Sequence, residues 1–227
     1  MAKKKNGDSG YAGKSWLEGD LIETFHLNRL AAATEQTALM QEWLTVQPPV
    51  FKPYEQHNFD DIFEDAEQDI KSWSEEDLKM KFIAPILRLG QFRDDKQKKI
   101  LGFFDRTISA VVEGIPLTVR SDFMLAKGTY DVFRTPYFHF QEYKPHKNPT
   151  GDSMAQLIEA FLISQVNNNN GKPLYGVEVI GANWTFVIMD GKNYCVSRDY
   201  ISTHKADLLS VISILRQFRT ILYEKLM

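Results

Sequence analysis

The sequence predicts an α/β fold: a central mixed β-sheet flanked by helices, in the core order α-β-β-β-α-β, with an extra N-terminal helical region. Three observations carry that expectation. Apolar residues recur at three- and four-residue spacing as far as Gly90, and from about Arg106 they alternate instead. One further segment, from Ser153, returns to the helical period before alternation resumes and a last amphipathic helix closes the chain. The composition, 43% hydrophobic and 25% charged over 227 residues, is that of an ordinary globular protein able to bury a sizeable core.

Residues 1–15 are rich in Lys, Gly and Ser and have no apolar run, so they read as a disordered lead-in and not as a signal peptide. Residues 16–45 read as helical, with Leu17, Leu21, Phe25, Leu30, Leu39 and Trp43 near one stripe. Pro48, Pro49 and Pro53 make an extended connector, and Asn58–Lys71 can form a short acidic helix bearing Ile62, Phe63, Ala66 and Ile70. Residues 16–72 thus form an N-terminal helical region, expected to serve as a lobe, a homodimer surface or a cover for the site. The core, residues 73–227, opens on a capping box in which Ser74 faces Asp77 three positions on. Leu78, Phe82, Ile83, Ile86 and Leu87 then share a helix face, Pro85 is expected to bend it, and Gly90 to stop it.

Ile108–Val112, Leu117–Leu125 and Tyr137–Lys144 read as strands, divided by turns at Gly114 to Pro116 and near Gly128. Ser153–Val166 is helical through Met154, Leu157, Ile158, Phe161 and Leu162. Tyr175–Ile180, Trp184–Met189 and Tyr194–Ser197 are strands, the last two joined at Asp190-Gly191. Lys205 begins the closing helix.

Bulk properties exclude little. A net charge of −3 neither favours nor opposes nucleic acid, because a phosphate-binding surface can be local. The single cysteine, Cys195, rules out an intrachain disulfide and fits a small apolar group buried in a strand; a reducing, cytoplasmic setting is expected. The most apolar stretch, Leu208–Leu222, is interrupted by Arg216 and Arg219, so no membrane span is expected.

The chemistry-bearing pattern lies on two strands. In Tyr137–Lys144, alternation puts Phe138, Phe140, Glu142 and Lys144 on one face, and Pro145 ends the strand just after the charged pair. In Leu117–Leu125, Asp122 stands among Phe, Met and Leu, where a carboxylate is costly without a partner or a metal. Paired as an antiparallel hairpin, the two strands bring Asp122 and Glu142 together, and a divalent cation between them relieves their repulsion. Lys144 is then placed to position water or to stabilise phosphate charge. A lone Glu-x-Lys is expected about once by chance in such a composition, so the weight rests on Asp122 and on the order of elements. Glu75 starts the inward stripe of the helix after Ser74, although a carboxylate there also suits the helix dipole.

Together Glu75, then Asp122, then Glu142-Tyr143-Lys144, then a helix resemble the PD-(D/E)XK nuclease superfamily. The stretch Ser74–Leu87 is similar to the matching helix of type I restriction-subunit-like members. The resemblance spans about residues 74–190 at the level of motifs; Ser121 stands where the family name has proline, and residues 16–72 have no recognised counterpart. It implies a restriction endonuclease-like core and Mg²⁺-dependent hydrolysis of DNA phosphodiesters, with Mn²⁺ as a substitute. Asp122, Glu142 and the Tyr143 carbonyl would ligate the metal, Lys144 would position the attacking water, Glu75 would help by holding a second metal or a water, and Gln156 would be accessory. Lys96, Lys98, Lys99, Arg106, Arg120, Arg134 and Lys147 are candidate phosphate contacts, although a cluster such as Lys96–Lys99 is more often a solvated loop. Two alternatives stand beside this reading: an inactive nuclease fold acting as a nucleic-acid-binding or assembly module, and an unrelated α/β domain with an ion-pair network. The five histidines show no metal-ligand spacing, and the chain has no glycine-rich phosphate loop or nucleophile elbow.

Overall fold

In the computed structural model, which describes residues 15–30 and 37–227, the protein is an α/β fold built on one seven-stranded mixed sheet with helices on both faces. The expected lead-in, residues 1–15, lies almost wholly outside the described residues. The helices are α1 (Glu18–Phe25), α2 (Ala38–Leu44), α3 (Pro53–Asp69), α4 (Glu75–Asp77), α5 (Ala84–Leu89), α6 (Ser153–Asn168) and α7 (Lys205–Ile221). The strands are β1 (Asn28–Leu30), β2 (Ile100–Val112), β3 (Ile115–Thr129), β4 (Val132–Lys144), β5 (Leu174–Ile180), β6 (Asn183–Asp190) and β7 (Asn193–Ile201).

Across the sheet the order is β1-β7-β6-β5-β4-β3-β2. β4 and β5 run parallel, which the α6 crossover between them makes possible; β1 is parallel to β7, and the remaining pairs are antiparallel hairpins. The Asp190-Gly191 turn joins β6 to β7 as the sequence indicates, with Gly191 at positive φ.

The sheet separates two apolar layers. One contains α6 and α1, where Leu157, Ile158 and Phe161 of α6 meet Phe140, Met124 and Val187 of the sheet. α6 is buried from Ser153 through Ser164 apart from Gln156, so both of its sides are covered. The other layer holds α2, α3, α5 and α7 around Trp43, which meets Tyr175, Phe186 and Phe218 edge-on or tilted and donates its indole N–H to the Ile214 carbonyl at 3.0 Å. Cys195 is buried in β7. Among the described residues no helix is long and apolar enough to cross a membrane.

Two sequence expectations are corrected. Residues 16–45 are not one helix: α1 ends at His26, whose backbone is left-handed (φ 52°), and Asn28–Leu30 then joins the sheet edge beside β7. The apolar residues of this region divide between the layers, Leu21 and Phe25 to one and Met40 and Trp43 to the other, so a shared helical period does not mean a shared face. The second correction is local. Phe138 does not share a face with Phe140, because pairing skips it: Ala126 opposes Tyr137 and Leu125 opposes His139. That bulge turns Phe138 into the Trp43 layer.

Pro85 is accompanied by a local widening of the helix. Lacking an N–H, it leaves the Lys81 carbonyl without its usual partner, and Leu78–Ile83 forms a π-helical stretch in which the Ala84 N–H reaches the Lys79 carbonyl.

Candidate functional site

Asp122 sits where β3 leaves its neighbours. The β2–β3 ladder pairs Phe104 with Phe123 and Arg106 with Ser121 but omits the intervening pair, and Asp105 on β2 has φ 52°. The β3–β4 ladder stops at Phe123 opposite Gln141. Leu117 and Val119 therefore face the α6 layer, while Phe123 and Leu125 face the other. Freed from the ladder, the Asp122 carboxylate takes the place of a backbone acceptor: its Oδ2 accepts the Tyr143 N–H at 2.8 Å. This bond ties β3 to the exit of β4, where Glu142 and Lys144 lie.

Glu142 is 1% exposed and Lys144 9% exposed. Burial pushes the Glu142 carboxyl well above its ordinary range, and the Asp122 charge pushes it further; the Lys144 cation and hydrogen bonds from Ser121 and the Asp122 backbone pull against them. Glu142 Oε1 is buried without a hydrogen-bond partner, and so is Gln156 Oε1 on α6. A buried acceptor left unpaired is costly, which makes each of these oxygens a place where a cation or a donor would be welcome.

The helix after Ser74 supplies the fourth side. Ser74 and Asp77 form the expected capping box. Glu75 does reach the site, but through a residue that spacing alone did not single out: Lys79 Nζ donates to Glu75 Oε1 at 2.7 Å and to Asp122 Oδ1 at 2.8 Å. Burial alone would lower the Lys79 ammonium's pKa, but its bonds and charge pairing with Asp122 and Glu75 raise it above the ordinary lysine value.

Beneath β4's exit lies a second arrangement missed in the sequence. His139, Gln141 and Tyr143 alternate onto the α7-side face, where Gln141 Nε2 meets His139 Nε2 at 2.9 Å and the Tyr143 hydroxyl donates to Gln141 Oε1. Burial lowers the His139 pKa to about 3 and raises that of Tyr143. As the alternation indicates, His139 points away from Glu142 and packs against Phe92 and Phe218.

The candidate phosphate contacts divide. Arg106 and Arg120 flank Asp122's position on β2 and β3, with Arg120 ion-paired to Asp105 at 3.3 Å, and Lys147 lies exposed three residues beyond Lys144. Lys96, Lys98, Lys99 and Arg134 cluster at the other end of the hairpin, where Arg134 opposes Lys127 and the Lys99 carbonyl accepts from Gly128. Five strand residues from Asp122 to Lys127 span roughly 16 Å, so these four are not gathered at the site. Lys98 instead lies over the Tyr223 ring. A cleft of about 1190 Å³ between α3, α5 and β2 is lined by Met80 and Phe123, the chain neighbours of Lys79 and Asp122, but not by the site residues themselves.

Among the described residues no group of three or more His, Cys, Asp or Glu side chains is gathered to hold a metal ion. What is present is a smaller set: the Asp122 carboxylate, the unpaired Glu142 oxygen, and the backbone between them. Mg²⁺ is commonly held by one or two carboxylates and completes its shell with water, so this set fits such an ion. No protein-family model matches the chain, and no curated protein is significantly similar to it.

Proposed function

We propose that the protein is a Mg²⁺-dependent nuclease of the PD-(D/E)XK kind that hydrolyses phosphodiester bonds in DNA. The observation that carries this reading is the pairing of Asp122 with the Tyr143 N–H, which holds its carboxylate beside a buried Glu142 oxygen that has no partner, next to Lys144. Asp122, Glu142 and the Tyr143 carbonyl would hold the ion, with Mn²⁺ able to replace it. The bound ion would neutralise charge on the phosphate and promote attack by water. Lys144, fixed by the end of β4, orients that water and offsets the negative charge that builds on the phosphate oxygens. Gln156 aims an unpaired amide oxygen from α6 as an accessory acceptor, and Glu75 sets Lys79's position through its ion pair.

The second reading, an inactive nuclease fold that binds nucleic acid or a partner, is favoured by the Lys79–Asp122 ion pair, because a ligand carboxylate already neutralised by lysine can be a retired one. Incubation with plasmid, linear duplex and single-stranded DNA in Mg²⁺ or Mn²⁺ separates the two. Cleavage by the wild type, reduced at least about 100-fold in Asp122→Ala and Lys144→Ala, supports the nuclease. Cleavage that survives both substitutions sinks the site assignment, and no cleavage with Mn²⁺ still bound at Asp122 favours the inactive fold.

A further inference from the structure

We propose that Lys79 is an internal counter-ion that competes with a divalent cation for the Asp122 carboxylate, so that loading the site requires Lys79 to leave Asp122 while keeping Glu75. This inference rests on the reading of Asp122 as a metal ligand.

The two candidate ligands are in different states. Glu142 offers Oε1, buried and without a partner. Asp122 offers neither oxygen freely: Oδ2 accepts the Tyr143 N–H at 2.8 Å, and Oδ1 accepts Lys79 Nζ at 2.8 Å. A divalent ion sits about 2.1 Å from a ligating oxygen. An ammonium on that same oxygen would then stand within a few ångströms of the ion, and two cations so close in a mostly buried site repel strongly. Asp122 side-chain exposure is only 13% and that of Lys79 17%, so water screens the pair poorly.

Lys79 has somewhere to go. Its bond to Glu75 at 2.7 Å lies one helical turn back on the same segment, and the Glu75 side chain is 37% exposed. A lysine's flexible four-carbon stem can release Asp122 and hold Glu75 without moving the backbone. The neighbouring Lys81 provides a comparison. It lies on the same π-helical stretch but is paired to Asp77 at 2.9 Å and stands 55% exposed. Lys79 is thus the cation of this segment that is bound to Asp122, and it makes the site closed to metal until a cation displaces it.

The test is a titration of the full chain with Mn²⁺ alone, followed by calorimetry and by the loss of the free-ion electron paramagnetic resonance signal. Lys79→Met should bind Mn²⁺ about tenfold more tightly than the wild type, the size expected when a competing internal ligand is removed. Lys81→Met, which removes an equal charge two residues on, should leave affinity unchanged, and Lys79→Arg, which keeps the cation, should stay weak. Asp122→Asn should abolish binding in both the wild-type and Lys79→Met backgrounds. A thermal melt of each variant confirms that it is folded, and Lys79→Gln, which also removes the cation and should tighten binding alike, carries the comparison if Lys79→Met is not. Equal or weaker binding by Lys79→Met, with Asp122→Asn still abolishing binding, overturns the competition and leaves the metal site standing. Equal tightening by Lys81→Met overturns it as well, since the effect would then be one of general charge. No binding by any of the chains removes the Asp122 metal reading and the competition with it.

Discussion

Glu142 and Glu159 are both nearly fully buried carboxylates, and their surroundings assign them different consequences. Glu142 has an unpaired oxygen and faces Asp122, so it is a group the folded chain holds at a cost. Replacement by Gln keeps its shape and removes the charge. Glu142→Gln is therefore expected to stabilise the metal-free protein by about 1–2 kcal/mol at pH 8 and to abolish Mn²⁺ binding; urea unfolding and calorimetry read the two effects. A loss of stability would show that the carboxylate is a structural ion-pair partner instead. Glu159, on α6, accepts the Thr118 N–H at 3.1 Å, yet burial raises its pKa to about 7. The folded chain then binds this proton more tightly than the unfolded chain does. Stability from the protonated form is complete below about pH 4.5, the ordinary glutamate range, and is lost as pH rises through about 7. Glu159→Gln stays neutral and should match the wild type at pH 4.5. At pH 8 it should exceed it by an amount on the order of 2 kcal/mol, and equal unfolding curves at pH 8 would refute this.

At the scale of elements, α6 and the π-helical stretch position the site. α6 packs closely on β5 because Gly176 has no side chain: a Cβ there would stand 2.7 Å from Phe161 and 2.8 Å from Leu157, with the Phe140 carbonyl at 3.1 Å. Gly176→Ala should therefore cost about 1–3 kcal/mol and, by pushing α6 off β4, weaken Mn²⁺ binding; an unchanged melting temperature would refute the packing account. Most elements of the core were legible because each shows its own period, as the capping box at Ser74 and Asp77 and the turn at Asp190-Gly191 illustrate. The gap in the ladder at Asp122 was not, because alternation assumes a regular ladder and the missing pair opposite Asp105 is a tertiary event. Phe138 changes face for the same kind of reason. The division of residues 16–45 was hidden because helical periodicity does not report which layer receives the apolar stripe.

For the whole molecule, strand order and the meeting of distant side chains decide the outcome. The sequence indicates a sheet with helices on both faces but not the order β1-β7-β6-β5-β4-β3-β2, since a short edge strand such as Asn28–Leu30 carries almost no local signal. Asp122, Glu142 and Lys144 were legible as charged residues in apolar strands, where each demands a reason. Lys79 was not, because a lysine four residues after a glutamate reads as an ordinary helix pair until a strand forty-three positions later supplies a second carboxylate. In the function proposed, these elements hold a divalent cation between Asp122 and Glu142. Its most direct test is a crystal grown with Mn²⁺ and measured at an energy that reports manganese anomalous scattering. We expect one peak about 2.1–2.2 Å from oxygens of both carboxylates and of the Tyr143 carbonyl, with Lys79 turned to Glu75. An ordered site at saturating Mn²⁺ with no peak there, and Lys79 still on Asp122, would contradict it.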